Sequence, residues 1–409
     1  MKIAFFSDCY LDQTGGIVTS INAQKQALEK LGHEVVVFTT AYPKSDCELK
    51  RYAKNHIYVV PSCKYLIRGA TPVSRRPSIV EKWLVQHHPE LSQYDVFYVH
   101  YEAGCSIAAL RLGKQLHIPT VQVMHGREDM GVTCIIPYGL RTIVAVLLNH
   151  FHAKCLPHPV KIRKDDYLAD TIAKAKMWTM MVNHANYADY VICPSHHFAE
   201  KLKHYGVKHK IHVMPNGYPD ASFPADPPVK SLMLGQTMNI IWHSRLSGEK
   251  RIIPFLQALT KVAGKYHLDV YGGGPDYGKA ERYAKRHHLN VTFHGNTSFK
   301  QVQRAIQHSH LDVLTSYNFD NYPLTLVEAE ACAVPVYICD PDMREIVPAK
   351  SFVLSKSESP DDMAVAINEL LAHPELIAEM SQTMLDHRNE VRISKRIKPL
   401  LRFFQALTS

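Results

Sequence analysis

Short apolar runs rich in β-branched residues alternate along this chain with stretches whose apolar positions recur every three to four residues. Residues 2–7 read as a buried strand. Residues 18–31 carry helical periodicity, with Ile21, Leu28 and Leu31 marking the apolar side, and residues 34–39 read as a second strand. Gly15-Gly16 punctuates the first junction, and Gly32 stands where a helix C-terminus favours glycine. Strand, glycine loop, helix and strand make a βαβ unit, which predicts parallel pairing with a right-handed crossover. The pattern continues with a strand over 96–99, a helix over 104–116, and a strand over 119–124 that ends at His125-Gly126. A strand over 190–193 follows. Ser195 is the expected N-cap of a helix reaching residue 204, and a strand over 210–214 closes at Pro215-Asn216-Gly217.

Pro219, Pro224, Pro227 and Pro228 then crowd a segment with little periodicity, which reads as a linker. A second series has strands over 238–243, 268–271, 291–294, 311–315 and 336–339, with helices between them. The expectation is α/β, with two Rossmann-like domains at 1–218 and 235–390 and a terminal helix, about 393–409, packing back on the first. Sheets of this kind bind ligands at the carboxyl ends of their strands, and every motif below follows a predicted strand.

A length of 409 residues with 46% hydrophobic positions supports two such cores. The formal charge of +9 suits nucleic acid, anionic lipid, a phosphorylated substrate or simply a basic surface. No helix-turn-helix or aromatic RNA-binding platform supports the first of these, so no nucleic-acid partner is expected. The apolar run at 143–148 is far too short to span a bilayer, and the first eight residues read as a strand rather than a signal peptide. Nine scattered cysteines without a Cys-x-x-Cys pair fit a reduced, cytoplasmic protein. The histidine pairs are adjacent in sequence and so point apart. No His or Cys cluster has zinc spacing, and no metal is expected.

Four strand ends carry candidate chemistry. Gly15-Gly16 would let backbone amides approach a phosphate at a helix start, although a plain turn explains it as well. Arg245 and Lys250 stand five residues apart around the turn Ser244–Lys250. Two cations there suit a diphosphate leaving group, and a solvated turn is the other reading. Gly272, Gly273 and Gly274 let the chain pass close to a ligand or to another strand. The most specific stretch runs from Asp320 through Tyr322, Pro323, Leu324 and Thr325 to Glu328. Its two acids suit paired hydroxyls of a sugar or ribose, and the amides of Leu324 and Thr325 open a helix where a phosphate is welcome. For Glu328 alone, an ordinary acid near a helix start is an equal reading.

The segment from Asp320 to Glu328, with Ala329 and Val334-Pro335-Val336 after it, resembles the E-x7-E signature of family 4 retaining glycosyltransferases. Gly15-Gly16, His125-Gly126, Pro215-Asn216-Gly217, Arg245 with Lys250, Gly272 to Gly274 and Glu345-Ile346-Val347 fall in that family's order over nearly the whole chain. The resemblance implies the GT-B fold, two Rossmann-like domains facing across a cleft. It also implies a UDP- or GDP-sugar donor, retention of anomeric configuration, and no metal or other cofactor. Carried over, Arg245 and Lys250 would hold the diphosphate, Gly16 and its neighbour Gly15 would abut it, and Gly273 would lie in the donor site. Glu328 would bind the ribose. Asp320 would contact the donor sugar in a pocket lined by Tyr322, Pro323 and Leu324, next to Thr325, and His125 would sit beside that sugar. The first signature acid is Asp320 where the family usually has glutamate, Asn321 and Ala333 replace common glycines, and Asp340-Pro341-Asp342 reads as a structural turn rather than a metal-binding pair.

Residues 140–151 form an apolar, helix-like stretch followed by His152, Lys154, His158, Lys161, Arg163 and Lys164, while Lys64, Arg68, Arg75 and Arg76 add charge to the same half. The stretch 395–404 has similar character. An apolar face beside basic residues suits an anionic bilayer, and a core helix with solvated charge is the alternative. The opening 40 residues and this region are similar to bacterial 1,2-diacylglycerol 3-glucosyltransferases. That likeness implies transfer of a hexose, from UDP-glucose or UDP-galactose, to diacylglycerol or a glycosyl-diacylglycerol on the inner face of the cell membrane. Surface-polysaccharide or protein glycosylation is the rival enzyme reading, and a non-catalytic two-lobed sugar-binding protein is the reading of another class.

Overall fold

A computed structural model describes residues 1–9, 11, 15–42, 44–63 and 74–408, save the side chain of Ile135. Lys64 and Arg68 lie outside the described residues. The chain divides into two compact units, one of residues 1–215 and 396–409, the other of residues 216–395.

The first unit holds seven strands: β1 (Lys2–Ser7), β2 (Glu34–Thr39), β3 (Ile57–Val59), β4 (Val96–His100), β5 (Thr120–Val123), β6 (Tyr190–Cys193) and β7 (Ile211–Val213). The second holds six: β8 (Met238–His243), β9 (Tyr266–Tyr271), β10 (Val291–Gly295), β11 (Leu311–Leu314), β12 (Val336–Ile338) and β13 (Phe352–Leu354). All named pairs are parallel, in the orders β3-β2-β1-β4-β5-β6-β7 and β10-β9-β8-β11-β12-β13. Each order reverses direction once, between β1 and β4 and between β8 and β11. A crevice for ligands opens at such a point, beyond the strands' carboxyl ends. The strands between neighbours are buried on both faces: Ile3 to Phe6, and Ile240 with Ile241, have no exposed surface, as parallel sheets covered by helices require.

Most predicted elements form within a residue or two of their expected ends. The helix Gly16–Lys30 stops at Gly32, whose φ of 84° is the left-handed conformation that ends helices. Ser195 takes the extended N-cap conformation before His196–His204, but its side chain makes no capping hydrogen bond, so that expectation holds for position and fails for mechanism. The terminal helix Ile393–Thr408 buries Ile397, Leu400 and Phe404, and Phe404 meets Tyr98 edge-on at 5.1 Å. The apolar side of 395–404 is therefore core, which corrects its reading as a membrane face.

The helix Arg141–Cys155 behaves in the opposite way. It buries only Ala145 and His152, and it leaves Ile143, Leu147 and Phe151 between 42% and 61% exposed. Tyr138 and Leu140, just before it, are 86% and 52% exposed. Spacing of four residues puts Ile143, Leu147 and Phe151 in one stripe. Lys154, Lys161, Arg163 and Lys164 are exposed beyond its end, as are Arg75 and Arg76 elsewhere in the unit.

Candidate active site

In the second unit the site forms where β8 and β11 part. The turn after β8 is clamped to the glycine loop after β9: Ser244 N–H donates to Tyr271 C=O, Leu246 N–H to Gly273 C=O, and Asp276 N–H to Leu246 C=O, at 3.1, 2.9 and 2.9 Å. A Cβ on Gly272 would lie 2.0 Å from the Ser244 carbonyl oxygen, and one on Gly274 would lie 2.3 Å from that of Leu246. Both positions also have left-handed φ. The glycines therefore let two loops interlock, and Gly273 is held in the middle of that clamp.

Within the turn, Arg245 is 55% exposed at its side chain. It donates from Nε to Ser247 Oγ at 3.2 Å and from its terminal nitrogen to Glu249. Lys250 points the other way in the ion-pair network. Its Nζ donates to Asp320 Oδ1 and Oδ2 at 2.7 and 2.8 Å and lies 5.1 Å from the centre of the Phe319 ring. Ser316 also donates to Asp320, and Thr315 Oγ1 donates to the Lys250 carbonyl at 2.6 Å, tying the two strand ends together. The structure thus joins the residue assigned to the diphosphate with the residue assigned to the sugar.

Pro323 precedes the helix Leu324–Ala331, whose first turn has no capping side chain. Thr325 Oγ1 is buried there without a hydrogen-bond partner. Exposed amides and an unspent hydroxyl at a helix N-terminus form an anion seat. Four residues on, Glu328 has 15% side-chain exposure and lies 3.5 Å from His243 Nδ1. His243 Nε2 is 2.8 Å from Asp312 Oδ2. Burial pushes the Glu328 carboxyl up to about 7; His243 pulls it down and Asp312 adds to the rise. Burial lowers His243, but the Asp312 and Glu328 carboxylates beside it together outweigh this and leave the imidazole above its usual value. Asn321 and Tyr322 occupy the loop between, buried and half-buried. Asp340 accepts from the backbone N–H of Asn318 and of Asp342 at 2.6 and 3.0 Å, a turn-building role.

In the first unit, Gly15 is the uncapped N-cap of Gly16–Lys30, and a Cβ there would meet nothing within 4 Å. Glycine at position 15 is thus not demanded by packing. His125 follows β5 and shares a hydrogen bond of 2.8 Å between its Nε2 and His100 Nδ1, with the rings stacked. Burial pushes His125 down to about 4, so it is a neutral ring at physiological pH.

Sequence reasoning missed Glu249, His243 and Asp312. Glu249 lies inside a motif already singled out, and its i, i+4 spacing from Arg245 was the available signal. His243 and Asp312 meet only because β8 and β11 pair with Ile241 opposite Asp312, which no local pattern states.

Two parallel Rossmann-like units, each with polar groups gathered beyond its strand ends, are the architecture of GT-B glycosyltransferases, and the chain is a glycosyltransferase. It belongs to glycosyltransferase family 4: the profile described as "Glycosyltransferase Family 4" matches residues 14–222, and that of "Glycosyl transferases group 1" matches residues 234–385. The alpha-monoglucosyldiacylglycerol synthase of Streptococcus pneumoniae is 25% identical over 92% of this chain and 80% of its own length. The lipopolysaccharide 1,6-galactosyltransferase of Escherichia coli is 26% identical over 39% of this chain and 46% of its own. Among solved structures, the sucrose-phosphate synthase of Thermosynechococcus elongatus superposes with a TM-score of 0.73 at 15% identity, covering 99% and 98% of the two chains. Anabaena HepE in complex with UDP superposes at 0.68 and 16%, covering 99% and 100%.

Proposed function

We propose that this chain moves a hexose from UDP-glucose or UDP-galactose to a membrane lipid, diacylglycerol or a glycosyl-diacylglycerol, with retention of anomeric configuration. The observation that carries the lipid acceptor is the solvent-exposed stripe Ile143, Leu147 and Phe151 with lysines and arginines beyond it. Contiguous exposed apolar surface of this kind marks a docking face, and its basic border suits anionic headgroups. The full-length likeness to a glucosyldiacylglycerol synthase supports the same acceptor.

The donor reading follows from the second unit. Lys250, Arg245, the first-turn amides of Leu324 and Thr325, and Thr325 Oγ1 meet the diphosphate, so its negative charge is balanced by protein groups and no metal is required. Gly15 and Gly16, by the family resemblance, give the first unit a helix start suited to a phosphate. Glu328 receives the ribose hydroxyls. Asp320 faces the sugar beside Tyr322 and Pro323, and His125 is the residue that the family resemblance assigns to that sugar. The leaving phosphate assists removal of the acceptor proton on the same face, which retains configuration. The UDP complexes named for structural neighbours favour uridine over guanosine. The protein works as a peripheral enzyme on the cytoplasmic side of the membrane; among the described residues no helix is long and apolar enough to cross one.

The test offers UDP- and GDP-sugars with dioleoylglycerol in vesicles, with and without phosphatidylglycerol, and reads products by mass spectrometry and anomeric NMR coupling. A hexosyl-diacylglycerol of retained configuration, formed faster on anionic vesicles and undiminished by EDTA, is expected. Turnover only on a soluble saccharide would overturn the lipid acceptor and favour the polysaccharide reading, which the local likeness to lipopolysaccharide galactosyltransferases supports.

A further inference from the structure

The first unit carries a buried carboxyl cluster that the donor chemistry does not use. It gathers at the carboxyl ends of β1, β4 and β5, beside the reversal in strand order. Asp8, just past β1, is spent: its two oxygens accept from Ser74 Oγ, Cys105 N–H, Ser106 N–H and Ser106 Oγ at 2.8–3.1 Å, which caps the helix Gly104–Leu116. Asp129 is also spent, paired with buried Arg127 at 2.7 and 3.1 Å. Glu102 and Glu128 are not. Glu102 is only 5% exposed, and its Oε1 has no hydrogen-bond partner. Glu128 is half-buried and accepts a hydrogen bond from the Tyr101 hydroxyl. Tyr101 reaches it from a backbone with φ of 106°, a conformation a tyrosine adopts only when its surroundings hold it there. Gln122 Nε2 donates to the Tyr101 carbonyl at 2.9 Å and helps to hold it.

A buried carboxyl oxygen without a donor costs stability unless a ligand supplies one. Burial drives both carboxyls upward; the charges of Glu128 and Asp8 add to the rise at Glu102, and those of Asp129 and Asp8 add to the rise at Glu128. A carboxyl that keeps its proton offers one donor and one acceptor, and an ionised one offers acceptors only. A hydroxyl, which both gives and takes a hydrogen bond, fits such a pair. A phosphate does not. Buried Arg127 is already committed to Asp129, and His100 and His125 are held neutral by burial.

We propose that Glu102 and Glu128, with the Tyr101 hydroxyl, form the seat for the reacting end of the acceptor and select a neutral polyol over a phosphate-bearing lipid. The polyol is the free glycerol hydroxyl of a diacylglycerol or the sugar hydroxyls of a glycosyl-diacylglycerol. This deepens the lipid reading above and rests on it for the identity of the tail, while the headgroup preference stands on the buried, unpartnered Glu102 carboxyl among other acids.

The experiment measures binding, which needs no turnover. Dihexanoylglycerol and dihexanoyl phosphatidate, identical but for hydroxyl or phosphate, are titrated into the full chain by calorimetry. The wild type is expected to bind the neutral lipid at least about 30-fold more tightly. The double variant Glu102→Gln, Glu128→Gln is expected to reduce that ratio below about threefold, with UDP affinity within about twofold of wild type. If the double variant loses its cooperative melting transition, Tyr101→Phe decides, with about fivefold weaker binding of the neutral lipid expected; a hydrogen bond to a charged group is worth about that or more. In the transfer assay Glu128→Gln is expected to raise the acceptor KM about tenfold and leave the donor KM unchanged. Equal wild-type affinity for the two lipids, or a ratio that survives both substitutions, overturns the proposal. A wild type that binds with the expected ratio but transfers no sugar overturns the transferase assignment of acceptor instead, so the two failures are distinct.

Discussion

Lys250 holds both oxygens of Asp320, so the cation assigned to a diphosphate already pairs with a carboxylate. A phosphate must compete with a carboxylate that is already in place. Asp320→Asn removes the competitor and keeps the shape. UDP is expected to bind several-fold more tightly to this variant, while kcat falls about 100-fold because the sugar loses a charged partner. Calorimetry with UDP and initial rates check the two halves separately; weaker UDP binding would mean that Asp320 supports Lys250 rather than competing for it. Glu328 gives a pH signature. With its carboxyl held up to about 7, the ionised form that accepts both ribose hydroxyls is depleted as pH falls. UDP affinity is expected to drop up to about tenfold between pH 8 and 6, and Glu328→Gln should bind weakly at both. The acids and cations were legible because their residue types are rare at strand ends. Their pairing was not: Arg245 finds Glu249 and Lys250 finds Asp320, a choice made by the loop after β11 folding back over the turn after β8.

At the scale of elements, the same composition served opposite ends. Residues 395–404 and 140–151 both mix apolar and basic positions, yet one helix buries Ile397, Leu400 and Phe404 while the other exposes Ile143, Leu147 and Phe151. Periodicity reveals that a face exists, and only the packing partner decides whether it is covered. Replacing Leu147 and Phe151 together by glutamate is expected to cut co-sedimentation with anionic vesicles at least about tenfold, since each loses roughly 1.5–3 kcal/mol of burial in the bilayer interface. The melting temperature should hold, because neither side chain packs in the core; a large drop would show the stripe to be structural. The glycine loop makes the contrary case. Gly274→Ala places a methyl 2.3 Å from the Leu246 carbonyl oxygen in a left-handed conformation. A loss of about 2–4 kcal/mol in urea unfolding is expected, with UDP binding weakened because Arg245 and Lys250 sit in the loop it displaces. The strand–loop–helix alternation made both sheets readable. The edge strands β3 and β13 were not.

Across the whole molecule, buried imidazoles and buried carboxyls oppose one another as pH changes. Beneath the exposed helix Arg141–Cys155, His152 links His158 at 2.6 Å to His184 at 3.0 Å, and His184 Nε2 meets Gln122 Oε1 at 3.0 Å. Gln122 donates its own amide hydrogens to Tyr101 and Val123 carbonyls, so its oxygen can only accept. His184 therefore carries its proton on Nε2, accepts at Nδ1 from His152, and His152 accepts from His158. A further proton on His152 or His184 would set N–H against N–H; burial, with the charge of His158, holds His184 down to about 3. Unfolded histidine takes up its proton near 6.5, so below that pH the unfolded chain binds protons that folded His100, His125, His152 and His184 refuse. Each costs about 1.4 kcal/mol per pH unit until its folded pKa is reached. Glu128 and Glu328, held up to about 7, work in the other direction: the folded chain binds their protons first, so they favour folding as pH falls from 7 to about 4.5. That gain ends once the unfolded carboxyls are protonated too, while the loss at His184 continues toward 3. Four histidines against two carboxyls leave a net loss, so stability is expected to fall from pH 6.5 and to fall more steeply below 4.5. The urea midpoint followed across that range checks the shape, and a midpoint that holds steady from pH 4.5 to 3.5 would refute it. Nitrogen-15 spectra of labelled histidine check the cause. At pH 5 His184 should still show one protonated and one bare ring nitrogen, when an exposed histidine is almost fully charged.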